Sequence, residues 1–111
     1  MSGTTVRTVA ILGRREGMSF DEFCRYWREV HGPLAASLPG VVRYVQRHVE
    51  APSEEFGVDG FALLDYESEA AMEAAWASEA GQRALADVPN FLGRHDVVVI
   101  QDHVIVDRTG D

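Results

Sequence analysis

Apolar and polar positions change period several times along the chain, and each change marks an element. Val6 to Arg14 reads as a first strand. Its Val9-Ala10-Ile11-Leu12 run is nearly continuous, as in a strand covered on both faces. Arg14-Arg15-Glu16-Gly17-Met18 is a turn. From Ser19 the period becomes helical, with Phe20, Phe23, Cys24, Trp27, Val30 and His31 on one face. Ser19 stands three residues before Glu22, the spacing of a capping box, and Asp21 and Glu22 sit where the helix dipole favours acids. Gly32-Pro33 breaks this helix, and Pro33 suits the first position of a new turn, so Leu34 to Leu38 continues as a short helix until Pro39-Gly40. Val41 to Val49 and Gly60 to Glu67 are the second and third strands, joined by a polar loop. Ser68 caps an Ala-rich second helix running through Met72, Trp76 and Leu85, with Gly81 marking a break inside it. Pro89 to Gly93 is a turn or short helix. Val97 to Val106 is the last strand, apolar on both faces.

The order is β-α-β-β-α-β. It predicts an α+β fold of the ferredoxin-like kind, a four-stranded antiparallel sheet with both helices on one face. The 111 residues are expected to form one domain, 1–111. The sheet face away from the helices carries apolar residues and needs a cover. A second copy is the simplest one, so a homodimer is expected.

Composition narrows the partners. The net charge of −8 argues against nucleic acid, which needs clustered basic residues, and against an anionic membrane surface. The basic residues are all arginine. Cys24 is the single cysteine, so no internal disulfide is expected. The N-terminal residues show no basic segment followed by an apolar block, and no apolar run reaches membrane-spanning length. The expected location is the cytoplasm.

Several segments together resemble the EthD family of the dimeric α+β barrel superfamily. They are Gly17-Met18-Ser19, Phe20 to Phe23, Tyr26-Trp27, His31-Gly32-Pro33-Leu34, Leu38-Pro39-Gly40, Tyr44-x-Gln46-x-His48, and Asp59-Gly60 before strand three. The resemblance implies that two sheets form a barrel, with a ligand cavity in each subunit between its helices and its sheet. Relatives in that superfamily include polyketide-type dehydratases and cyclases, a methylmuconolactone isomerase and cofactor-free monooxygenases. A helix-end histidine and a strand-two tyrosine line the isomerase pocket, and these match His31 and Tyr44. The isomerase also uses a loop histidine and a strand-three cysteine. Here the loop from Ala51 to Val58 has no histidine, and strand three carries Leu63-Leu64.

The expected chemistry is cofactor-independent acid–base catalysis on an aromatic or polyketide-like molecule: cyclisation, dehydration or isomerisation. His31 is the candidate base, because imidazole exchanges protons near neutral pH. The competing reading is a helix-end histidine that merely meets the dipole. Tyr44 is the candidate hydroxyl. Gln46 and His48 share its strand face by the two-residue alternation and are expected to contact substrate, with a solvated or dimer-facing ladder as the alternative. Phe23, Trp27 and Trp76 are core or pocket wall. Asp65, the one acid in an apolar strand, is expected at the site if it faces inward and at the rim otherwise. His95 and His103 are expected at the surface or an interface. No phosphate loop or metal-ligand spacing is present, so no cofactor or metal is expected. Two alternatives stay open. One is a cofactor-free oxygenase, the other a non-catalytic protein that shields a hydrophobic metabolite.

Overall fold

The computed structural model describes residues 5–110. Four strands, β1 (Val6–Arg14), β2 (Val41–His48), β3 (Gly60–Tyr66) and β4 (Leu92–Ile100), form one antiparallel sheet in the order β2-β3-β1-β4. The helices cover one face. They are α1 (Phe20–Tyr26), a π turn (Trp27–His31), α2 (Gly32–Ala36), α3 (Glu69–Ala77), α4 (Glu79–Asp87) and a 3₁₀ turn (Val88–Asn90). This is the ferredoxin-like α+β fold.

Local chemistry explains the starts and stops. Ser19 and Glu22 make the reciprocal capping box at the start of α1, with Ser19 N donating to Glu22 Oε1 at 2.8 Å and Glu22 N donating to Ser19 Oγ at 3.1 Å. The expected second helix is divided one turn before Gly81, because Ser78 leaves helical geometry and caps α4. Gly81 then lets α4 lie close to α3: a Cβ there would come within 2.3 Å of the Ala75 carbonyl oxygen.

Two expectations are corrected. The last strand is Leu92–Ile100, not Val97 to Val106. Its ladder partner sets the length: Ala10 pairs with Val97 and Arg7 with Ile100, and β1 begins at Val6, so residues beyond 100 have no strand to pair with. Val104, Ile105 and Val106 are exposed instead. Val30, expected on the buried face of the first helix, is also exposed. The π turn is wider than an α turn and carries Val30 outward. Pro33 accounts for the widening, since its ring in a regular helix presses on the carbonyl four residues back, that of Glu29.

Strand alternation divides the sheet into two faces. Thr8, Ala10 and Leu12 pair with Leu64, Ala62 and Gly60 on one side, and with Val99, Val97 and His95 on the other. Tyr44, Gln46 and His48 extend the same rows on β2. All of these face the helices. The opposite face carries Val9, Ile11, Val45, Phe61, Leu63 and Val98, which no helix covers.

Candidate active site

Between the helices and the sheet lies a cavity of about 340 Å³, at the lower end of the ~300–1,000 Å³ range of small-molecule sites. Its floor is made of small side chains, Thr8, Ala10 and Ala62. Trp27, Ala35, Met72, Trp76 and Phe91 form the walls. His31, Tyr44, Tyr66 and His95 supply the polar atoms. Leu85 of α4 and Val97 of β4 line it while staying half exposed, so it opens between these two elements.

His31 ends the π turn and is buried. Its ring packs on Phe91 with centroids 4.7 Å apart. Its Nδ1 lies 2.9 Å from Asp87 Oδ2. Asp87 is the last residue of α4, and its other oxygen accepts from Tyr26 Oη at 2.5 Å and from Asn90 Nδ2 at 3.0 Å. Burial pushes the Asp87 carboxyl up. The hydrogen bonds from Tyr26, Asn90 and His31 outweigh that and leave it below its ordinary value, so it is ionised. A carboxylate only accepts, so Nδ1 of His31 carries a proton, and in the neutral imidazole the lone pair then lies on Nε2. Among the described residues nothing bonds Nε2, and no side-chain nitrogen or oxygen is sealed from solvent without a partner, so Nε2 is accessible on a ring that lines the cavity.

Tyr44 reaches the cavity from β2, and Trp76 lines it while donating its Nε1–H to Tyr66 Oη at 2.8 Å. Burial raises the Tyr44 phenol, against hydrogen bonds from Gln46 and Trp27. Four expected contacts lie elsewhere. Phe23 is fully buried behind the wall, against Trp27 at 5.4 Å and Phe91 at 5.9 Å. Gln46 and His48 face the helices but are covered by the π turn, where His48 stacks on Trp27 at 4.5 Å. Asp65 is on the opposite sheet face, 3.7 Å from Arg7, because Leu64 and Tyr66 take the inward positions on either side of it.

Asp87, Tyr26, Asn90 and His95 were not singled out from the sequence as site residues. One signal pointed to Asp87. It is an acid at a helix C-terminus, where the dipole disfavours it, in series with buried Gly81 and Ala84. His95 pairs with Leu12 in the β1–β4 ladder and so joins the inward row. Partial burial lowers its pKa, and His31, when protonated, lowers it further. Among the described residues no group of three or more His, Cys, Asp or Glu could hold a metal ion, and no helix is long and apolar enough to cross a membrane.

Residues 15–95 match the EthD domain. The chain belongs to the EthD family. No curated protein sequence matches it. Solved structures do. An EthD family protein from Bacillus halodurans C-125 superposes with a TM-score of 0.75 at 16% identity, covering 90% of this chain and 100% of that one. A dimeric ferredoxin-like protein from Thermobifida fusca gives 0.71 at 16% identity, covering 90% and 93%. SnoaB, a cofactor-independent oxygenase from Streptomyces nogalater, gives 0.70 at 12% identity, covering 94% and 98%. At these identities the likeness is one of fold, and what this EthD chain does must come from its own side chains.

Proposed function

We propose that this EthD chain is a cofactor-independent acid–base enzyme for a hydrophobic small molecule held in the cavity. The observation that carries this reading is the His31–Asp87 pair: an imidazole whose Nδ1–H is held by a buried carboxylate, on a ring that lines an apolar cavity. His31 Nε2 takes a proton from carbon next to a carbonyl, and Asp87 stabilises the imidazolium that forms. Tyr44 hydrogen-bonds the oxygen on which the negative charge collects. The imidazolium then returns its proton. Delivered to another carbon, it completes an isomerisation. Delivered to a departing hydroxyl, it releases water. If the carbanion first attacks a second carbonyl within the same molecule, the proton quenches the new alkoxide and a ring has closed.

A second reading has support in the likeness to SnoaB: the same deprotonation, followed by reaction of the carbanion with molecular oxygen. We also infer a homodimer, since the uncovered sheet face is apolar and a similar structure is dimeric.

Buffer-deuterium incorporation into a panel of aromatic carbonyl compounds tests the base. His31→Asn should lower exchange by about 10²–10⁴, the usual share of a general base. Equal rates for wild type and variant refute the reading and favour a carrier. Oxygen uptake that matches substrate loss selects the oxygenase.

A further inference from the structure

Tyr44, Gln46 and His48 sit at alternate positions of β2, so their side chains stand in a row on the helix-covered face. The hydrogen bonds along this row run one way. Gln46 Nε2 lies 3.0 Å from the Trp27 carbonyl oxygen, which only accepts, so the amide's nitrogen end is the one placed there. The same Nε2 lies 2.8 Å from Tyr44 Oη. An amide nitrogen does not accept, so this bond is donated to the tyrosine oxygen. At the other end Gln46 Oε1 accepts from His48 Nε2 at 2.9 Å. Both ends of the amide are therefore occupied in a sense that forbids a flip. Gly32 leaves room for it: a Cβ there would lie 3.1 Å from Gln46 Nε2.

The consequence falls on Tyr44. Its oxygen already receives a hydrogen bond from Gln46 at 2.8 Å, with the Trp27 side chain as a second donor, and among the described residues no acceptor takes its own proton. The phenol borders the cavity, so the free proton is available there. We propose that Gln46, held by Trp27 and His48, is a positioning residue that makes Tyr44 an obligate donor into the cavity, and that the cavity therefore selects ligands presenting an anionic or strongly polarised oxygen on a flat apolar frame, as an enolate or phenolate does. This deepens the acid–base reading and rests on it for the identity of the reacting molecule, but the donor geometry stands by itself.

The probe is 4-nitrophenolate, its binding followed by absorbance. Tyr44→Phe should weaken binding about tenfold to a hundredfold, the scale of a hydrogen bond to a charged group. Gln46→Met keeps the length of the side chain but has no N–H, and should weaken binding in the same direction. In a Tyr44→Phe background, Gln46→Met should add nothing, because it acts through the missing hydroxyl. Independent losses in the two backgrounds, or no loss from Gln46→Met, overturn the proposal.

A second measurement needs no ligand. With tyrosines labelled at Cζ, the Tyr44 ¹³C resonance should move in Gln46→Met while those of Tyr26 and Tyr66 stay in place. An unmoved Tyr44 signal overturns the proposal whatever the probe does. Exchange lost in His31→Asn with probe binding unaffected by Gln46→Met keeps the base and rejects the positioning row. Probe binding governed by Gln46 with exchange indifferent to His31 does the reverse.

Discussion

Replacing Asp87 by asparagine tests the site at its support rather than at its base. Asp87 accepts three bonds, from Tyr26, Asn90 and His31. In Asp87→Asn the amide oxygen can still serve Tyr26 and Asn90, both of which donate. That leaves the amide NH₂ facing His31 Nδ1, and two donors cannot meet. The imidazole must accept at Nδ1 and move its proton to Nε2, so the lone pair is withdrawn from the cavity. The expected loss in exchange rate is that of the base itself, about 10²–10⁴, although the substituted side chain touches no ligand. Exchanging charge-assisted for neutral hydrogen bonds should cost about 1–3 kcal/mol of stability. Long-range ¹H–¹⁵N correlation of the His31 ring reads the tautomer directly, and buffer-deuterium exchange reads the rate. A His31 ring that keeps its proton on Nδ1 in Asp87→Asn, or a variant with wild-type exchange, would refute the reasoning.

Acid should weaken the fold before the carboxylates are reached. Burial holds His48 and His95 below the ordinary 6.5, so the unfolded chain binds these protons more readily, and stability that is complete above about pH 6.5 falls as the pH drops through that value toward the folded pKa. Urea midpoints that stay level from pH 8 to pH 5 would contradict this. The bonds that lower Asp87 add a second loss as the pH falls below the ordinary 3.8 toward its folded pKa. Gly60→Ala should destabilise by about 1–3 kcal/mol through overpacking, because the new methyl would lie 2.4 Å from Trp27 Cζ3; an unchanged denaturation midpoint would show that the indole moves aside freely. Light scattering should give twice the chain mass at micromolar concentration, and a monomer there would leave the apolar sheet face without its proposed cover.

The sequence revealed most where structure is decided within a few residues. The Ser19–Glu22 box and the first strand are local patterns, and they appear with the expected bounds. The β4 boundary is set by a partner strand far away in sequence, which a run of valines cannot reveal. The site divides the same way. His31, Tyr44, Trp27 and Trp76 follow from periodicity and from the family's pattern. The carboxylate that gives His31 its tautomer is 56 residues distant and is brought in by helix packing alone. Strand alternation puts Gln46 and His48 on the correct face, but says nothing of the π turn that covers them. That turn arises from a backbone conflict at Pro33, which hydrophobic spacing does not register.

Ala10 and Ala62 lie at the centre of the sheet, where larger apolar side chains would ordinarily interlock with the helices. The unfilled space makes the unliganded protein less stable than its fold permits, and a fitting molecule restores the missing contacts. Occupancy is therefore coupled to melting temperature: a ligand at a hundred times its dissociation constant adds about 2.7 kcal/mol. A thermal-shift screen of aromatic carbonyl compounds can thus find the natural ligand before anyone knows what happens to it. The same coupling sets a trade-off, because larger residues at these two positions would raise stability by removing the room in which the chemistry takes place.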